Sequence, residues 1–348
     1  MRSAFVADKH NFGKSVQRFE QASGPWYRKP RSIFWEQLFF GNDSVLAPFF
    51  EKSGRNDSRT LSSYLFNLEI QRINDWEGIS REIVSPEGIE IDDPHFYSFG
   101  VILAYSYIFG IRDLHKHNLV PTKGGLQVID AEVALTNLLL PSETALLPYK
   151  DLSFERSGAQ NIGSGLASFT ADQKRRILAG YFDLFDIVFQ NIDPLRSLLS
   201  EKINSTVPIR VILRNTKYYL AHLAGEISIE DLLLEERVQL ERGDVPYFFK
   251  LIGERDLYWI SSLAFDGVPV LSDLGGMRSE VERHARPISD LLISPTQLEQ
   301  KVAQGTFLLA RIFDLREPMT FGWNDKAIKI DQNSFKNEYT GSSFTLKK

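Results

Sequence analysis

The stretch DLHKHNLVPTKGGLQVID, residues 113–130, decides how the chain is read. It sets a carboxylate at Asp113, an amide at Asn118 and a second carboxylate at Asp130, with Gly124 and Gly125 between them. The apolar residues Leu126, Val128 and Ile129 ahead of Asp130 predict a strand, and the paired glycines predict the turn that feeds it. Two readings compete. One is a hairpin whose polar residues merely cap a loop and fill a turn; the other is a site for a nucleotide and a metal ion.

Working outward, DPHFYSFGVILAYSYIFG (93–110) opens on Asp-Pro and closes on Gly110, which predicts a helix. Its apolar run, 99–111, is short of the ~18 residues that span a bilayer and reads as a buried core helix. Before it, SVQRFEQ and WYRKPRSIFW predict two strands joined by a turn at 23–25, while 58–76 fits strand or helix equally. After the Ser-, Gly- and Pro-rich stretch 141–170, helices are predicted at 171–192, 208–224, 229–241 and about 295–313. The sequence shows no internal repeat. The expected fold class is α+β, a kinase-like two-lobe arrangement. It has a small β-rich N-lobe (1–92), a larger helical C-lobe (93–324) and a polar, partly loose tail (325–348).

Composition narrows the function. The chain has 348 residues, 43% hydrophobic and 24% charged, enough for a large core. A net charge of -5 supplies no broad basic surface, so nucleic acid is not an expected partner. The absence of cysteine excludes disulfides, thiolate zinc sites and a cysteine nucleophile. The N-terminal MRSAFVADKH holds too short an apolar run for a signal peptide, so a cytoplasmic protein without a membrane partner is expected.

Phosphoryl transfer asks a protein for a carboxylate near the attacking hydroxyl, oxygen ligands for Mg²⁺ and a cation on the nucleotide phosphates. Protein kinases supply the first two with H-R-D-L-x-x-x-N and a later metal-binding Asp. Here Arg112, Asp113, Leu114 and Asn118 reproduce R-D-L-x-x-x-N, and Asp130 ends the strand that follows. Asn118 and Asp130 offer the hard oxygens that Mg²⁺ prefers. Lys29 lies in an otherwise apolar segment, where it must face solvent as an edge-strand lysine or find an anionic partner. The loop DKHNFGKSV (8–16) has a single glycine, Gly13, and is a weak phosphate cradle by composition.

Six segments together resemble the dehydratase domain of class II lanthipeptide synthetases, the LanM family. DKHNFGKSV is similar to that family's Asp-x-His-Asn-x-Gly-x-Ser-Val loop, and YRKPRS (27–32) to its Tyr-Lys-Pro-Arg-Ser strand with Arg28 interposed. DLHKHNL and VIDAEVAL resemble its Asp-Leu-His-x-Glu-Asn and Ile-Asp-Leu-Glu motifs. IRVILRNTKYYLAHL (209–223) resembles its Arg-x-x-x-Arg-x-Thr-x-x-Tyr helix, and RGDVPYF (242–248) its Gly-Asp-Ile-Pro-Tyr-Phe. The matches run in order from residue 8 to about 248.

The resemblance implies a lipid-kinase-like core that phosphorylates Ser or Thr of a precursor peptide with ATP and Mg²⁺. The phosphate is then eliminated to give a dehydroamino acid. It implies that Lys29 contacts ATP phosphates, that Asp8 and His10 belong to the nucleotide loop, and that Asp113 and His115 act at the transferring phosphoryl. Asn118 and Asp130 would hold Mg²⁺, and Arg210 and Thr216 would serve elimination. On the predicted helix 208–224, Arg210 and Arg214 share a face; they read otherwise as solvated helix charges. His117 stands where the family has Glu, and the interval from Asp130 to Arg210 is short. The chain begins almost at the nucleotide loop and carries no cyclase, so ring formation is not expected of it. A partner protein supplying peptide-binding or cyclase functions fits that gap. The alternatives are a protein, lipid or small-molecule kinase without elimination, and a pseudokinase that binds and does not catalyse.

Overall fold

The computed structural model describes residues 9–54, 57–150, 152–203, 207–226, 228, 230, 232–252, 254, 256–274, 295–315, 317–323, 326–338 and 340–345. The chain is mixed α/β, with eight α-helices and several small antiparallel sheets among these residues. It opens with β1 (Gln17–Gln21), β2 (Gly24–Lys29), α1 (Phe34–Phe40), α2 (Ser62–Leu65), β3 (Ile70–Asn74) and β4 (Glu77–Arg81). There follow α3 (Asp93–Phe109), β5 (Leu119–Thr122), β6 (Gly125–Val128), α4 (Ala171–Gln190) and α5 (Ile192–Lys202). Next come β7 (Pro208–Val211), α6 (Thr216–Leu223), α7 (Leu234–Glu241), β8 (Phe248–Leu251), β9 (Leu257–Leu263) and β10 (Pro269–Asp273). It closes with α8 (Pro295–Ile312), β11 (Met319–Trp323), β12 (Lys326–Ile330), β13 (Ser334–Asn337) and β14 (Ser343–Thr345).

Two compact units emerge, and neither is one continuous segment. The first gathers Met1–Phe34, Ile70–Glu82 and Ile203–Pro287; the second gathers Trp35–Glu69, Ile83–Lys202 and Ile288–Lys348. The first contains two sheets, ordered β1-β2-β4-β3 and β10-β9-β8-β7. Trp76, at the β3–β4 turn, meets Phe249 of β8 edge to face at 5.2 Å, so the early and late strands share apolar surface. That packing is why the division differs from a contiguous split after residue 92: residues from 203 onward join the first strands.

The second unit is built on α3, whose residues from His95 to Phe109 are all buried. Gly110 caps it in the left-handed conformation at φ 67°, as the sequence predicts. Tyr105 sits in an aromatic cluster with Phe39, Phe40, Phe50, Phe66 and Phe109. α3 packs tightly on α4: a Cβ on Gly100 would collide with the Ile177 carbonyl, and one on Gly180 with the Tyr97 carbonyl. At the same contact the Tyr97 hydroxyl donates to the buried Asp183 carboxylate at 2.6 Å.

Several predicted elements differ. The segment 208–224 is not one helix: β-branched Ile209 and Val211 extend as β7, and α6 begins only at Thr216. Asn215 caps that helix, accepting from the Lys217 amide at 3.0 Å. SIFW continues into α1 and not into a strand, 58–76 resolves into α2 and β3, and the helix predicted from 229 starts at Leu234. The tail contains β12, β13 and β14, with Ile328, Ile330 and Phe335 buried. Its Lys-Ala-Ile-Lys-Ile alternation has the period of a half-buried strand.

Candidate active site

In the second unit, residues 119–128 form a hairpin attached to α3, with the loop from Asp113 leading into it and Asp130 following it. Leu119 pairs with Val128 and Thr122 with Gly125, leaving Lys123-Gly124 as the two-residue turn. Gly125 lies at φ +128°, where a side chain would be strained, and its missing Cβ leaves room for Ser98 of α3. The Ser98 hydroxyl accepts the Leu126 amide at 2.9 Å and ties the hairpin to the core helix. The register continues past the base: the Ile129 amide donates to the Asn118 carbonyl at 3.0 Å. Asn118 and Asp130, distant in the motif, are thereby brought to the same end of the hairpin.

The loop before β5 is held residue by residue. Asp113 adopts φ 63°, a conformation costly for a residue with a Cβ. Both neighbours fix it, with the Arg112 amide on the Val133 carbonyl and the Leu114 amide on the Thr144 carbonyl, each at 2.9 Å. The Asn118 side-chain amide donates to the Asp113 carbonyl at 2.8 Å. That bond fixes the flip of the amide, and Asn118 Oδ1 accepts no hydrogen bond among the described residues. Asp113, His115, Asn118 and Asp130 are all partly exposed. The His115 and His117 rings lie 5.7 Å apart, and burial, followed by the charges of His115 and Lys116, pushes the His117 pKa down. Glu36 of α1 is buried beside this loop and accepts from the Ala131 amide at 3.4 Å.

Asn118 Oδ1 and the Asp130 carboxylate are hard donors, and their chemistry fits Mg²⁺ carried in by a polyphosphate. Among the described residues no group of three or more His, Asp or Glu side chains is gathered as a metal cage. A two-donor site of this kind suits an ion whose other ligands are phosphate oxygens and water.

In the first unit, Lys29 ends β2, which is an inner strand of its sheet, and is 5% exposed. The exposed edge-strand lysine that the sequence allowed is therefore not what is found. Asp8 lies outside the described residues. His10 opens a tight turn in which Asn11, Phe12 and Gly13 all have positive φ. The Phe12 and Gly13 amides point at an anion, and that anion is the Asp244 carboxylate, 2.7 Å from each. Arg242 donates to the same carboxylate at 2.6 Å and covers the Phe12 ring at 4.0 Å. Two donors of the expected nucleotide loop are thus already taken by the chain's own Asp244.

The structure groups His10 with Arg210. The Arg210 guanidinium lies over the Tyr247 ring at 5.0 Å, and the His10 ring meets Tyr247 edge-on at 5.6 Å. His10 Nδ1 contacts the Val245 carbonyl at 2.7 Å, so it carries the proton and leaves the Nε2 lone pair as acceptor. Burial and the nearby Arg210 lower the His10 pKa to about 4. Arg210 sits on β7 and Thr216 on the first turn of α6, so they share no helical face. Arg214, with its side chain one-third exposed, lies between β7 and α6 and shares no helical face with Arg210. It pairs at 3.0 Å with Glu236, a fully buried carboxylate that also accepts from the Tyr219 hydroxyl at 2.7 Å and the Leu233 amide at 2.7 Å.

Sequence reading passed over Glu36, Asp244 and Tyr247. Asp244 and Tyr247 stand inside a quoted motif, but Phe12, Gly13 and His10, the partners that give them a place in the site, lie more than two hundred residues away. Glu36 left one signal, a lone carboxylate in the apolar run SIFWEQLFF. In comparisons with known proteins, no family model matches the chain and no curated protein matches it.

Proposed function

We propose that the protein is a Mg²⁺- and ATP-dependent kinase of Ser or Thr in a precursor peptide, with phosphate elimination as its second step. The observation that carries this reading is the hairpin register that brings Asn118 and Asp130 together, next to an Asp113 held at positive φ. A carboxylate kept in a costly conformation by bonds on both sides is the kind of strain that collects at functional sites.

In the transfer step, the substrate hydroxyl oxygen forms a bond to the γ-phosphorus, and the bond from phosphorus to the β,γ-bridging oxygen breaks, releasing ADP. Asp113 takes the hydroxyl proton, and His115 assists at the transferring phosphoryl. Lys29 is the proposed cation for ATP phosphates. Asn118 and Asp130 would hold Mg²⁺, which when bound offsets charge on the phosphate oxygens. In elimination, the substrate Cα proton leaves to a base, the Cβ–oxygen bond breaks, and phosphate departs as the double bond forms. Arg210 holds the departing phosphate, with Thr216 as a hydroxyl donor. The neutral His10 beside Arg210 supports a place in this second step in preference to the nucleotide loop. The residue-level resemblance to LanM dehydratases supports the two-lobe, lipid-kinase-like core and the peptide substrate, and ATP and Mg²⁺ suit a cytoplasmic enzyme.

ATP binding with and without Mg²⁺ tests the reading. The wild type should bind ATP far more tightly with Mg²⁺ present, and Asp130→Ala should abolish that difference. Equal binding in both conditions would leave a pseudokinase or an unrelated protein.

A further inference from the structure

We infer that Asn161, on a separate turn, is the positioning residue that sets the metal-donor end of the 113–118 loop, an inference that rests on the phosphoryl-transfer reading above. The loop has no regular secondary structure, so each of its polar backbone groups needs a partner elsewhere. Its amides at Leu114 and Lys116 go to the Thr144 and Arg156 carbonyls at 2.9 and 3.2 Å. The Lys116 carbonyl, and the Leu119 carbonyl at the start of β5, are met from one side chain. Asn161 Nδ2 donates to the Lys116 carbonyl at 2.9 Å and reaches the Leu119 carbonyl at 3.5 Å.

Those two carbonyls flank His117 and Asn118, so a single planar amide bridges the chain just before and just after the proposed metal ligand. The bridge has a rigid base. Asn161 closes the short 3-10 turn Gly158–Asn161, and the Gly158 and Ala159 amides are bound to the Ala145 and Leu146 carbonyls at 3.0 and 2.8 Å. The turn also lies flush on the loop: a Cβ on Gly158 would come within 2.8 Å of the Leu114 carbonyl. Asn118 therefore lies between the two carbonyls that Asn161 holds, and its amide flip is fixed by the Asp113 carbonyl, which aims Oδ1 without a direct contact from Asn161.

Asn161→Asp keeps the shape and removes both N–H donors. The assay is phosphate release from ATP, titrated with Mg²⁺ and with ATP separately, alongside thermal unfolding. The variant should shift the Mg²⁺ midpoint upward by about 10- to 100-fold, the usual effect of removing an outer-shell partner of a metal ligand. Its KM for ATP at saturating Mg²⁺ should stay at the wild-type value. A fall in kcat with an unmoved Mg²⁺ midpoint would mark a residue that only supports folding and would overturn the inference. So would wild-type behaviour throughout. If Asn161→Asp does not fold, Asn161→Ser keeps one donor and should show a smaller shift of the same kind; an unmoved midpoint there overturns the inference equally. A wild type that releases no phosphate fails the underlying reading before any variant is compared.

Discussion

His10 shows how burial sets a residue's chemistry. Its folded pKa, about 4, lies below the ordinary 6.5, so the unfolded chain takes up the proton first as pH falls. Its contribution to stability is complete above pH 6.5 and is lost between 6.5 and about 4. His10→Gln should remove that component of acid sensitivity, read as a flatter loss of denaturation midpoint over the same range. A wild-type His10 titration near 6.5 by NMR would contradict the packing around Tyr247. The two arginines make a paired prediction. Arg214→Ala strips the partner from a fully buried Glu236 and should cost about 3 kcal/mol in urea unfolding. Arg210→Ala should leave phosphorylation intact while phosphopeptide accumulates; loss of phosphorylation itself would take Arg210 out of the elimination step.

Elements explain which parts of the site were legible in the sequence. The β5–β6 hairpin could be read because its signals are local: glycines at the turn, alternation in the strands, polar residues at both ends. α3 could be read for the same reason, from Asp-Pro to Gly110. The segment around Arg210 could not, because PIRVILRNTKYYLAHLA carries apolar residues at helical spacing throughout. The decision falls to Asn215, whose cap starts the helix late, and to pairing of β7 with β8 far along the chain. The occupied anion turn at Phe12 and Gly13 was equally hidden, since Asp244 lies more than two hundred residues further along the chain. The α3–α4 contact yields a prediction at this scale. Gly180→Ala forces a methyl group against the Tyr97 carbonyl and should lower stability by about 1–3 kcal/mol. Gly124→Ala, with nothing nearer than 4.0 Å, should change the urea midpoint little.

The whole molecule is two units woven from five internal crossings of the chain and one continuous order of motifs. The proposed phosphoryl-transfer residues Asp113, His115, Asn118 and Asp130 fall in one unit, and Lys29, His10, Arg210 and Thr216 in the other. No linear division of the sequence could reveal that weave, because a strand's sheet partners are chosen by distant complementarity. No helix among the described residues is long and apolar enough to cross a membrane. The most direct test of the central claim is mass spectrometry of a Ser- and Thr-containing precursor peptide encoded beside this gene, after incubation with the protein, ATP and Mg²⁺. Net loss of water at Ser or Thr is expected with the wild type, and an unchanged peptide with Asp113→Asn. A wild type that adds no phosphoryl group and removes no water would contradict that claim.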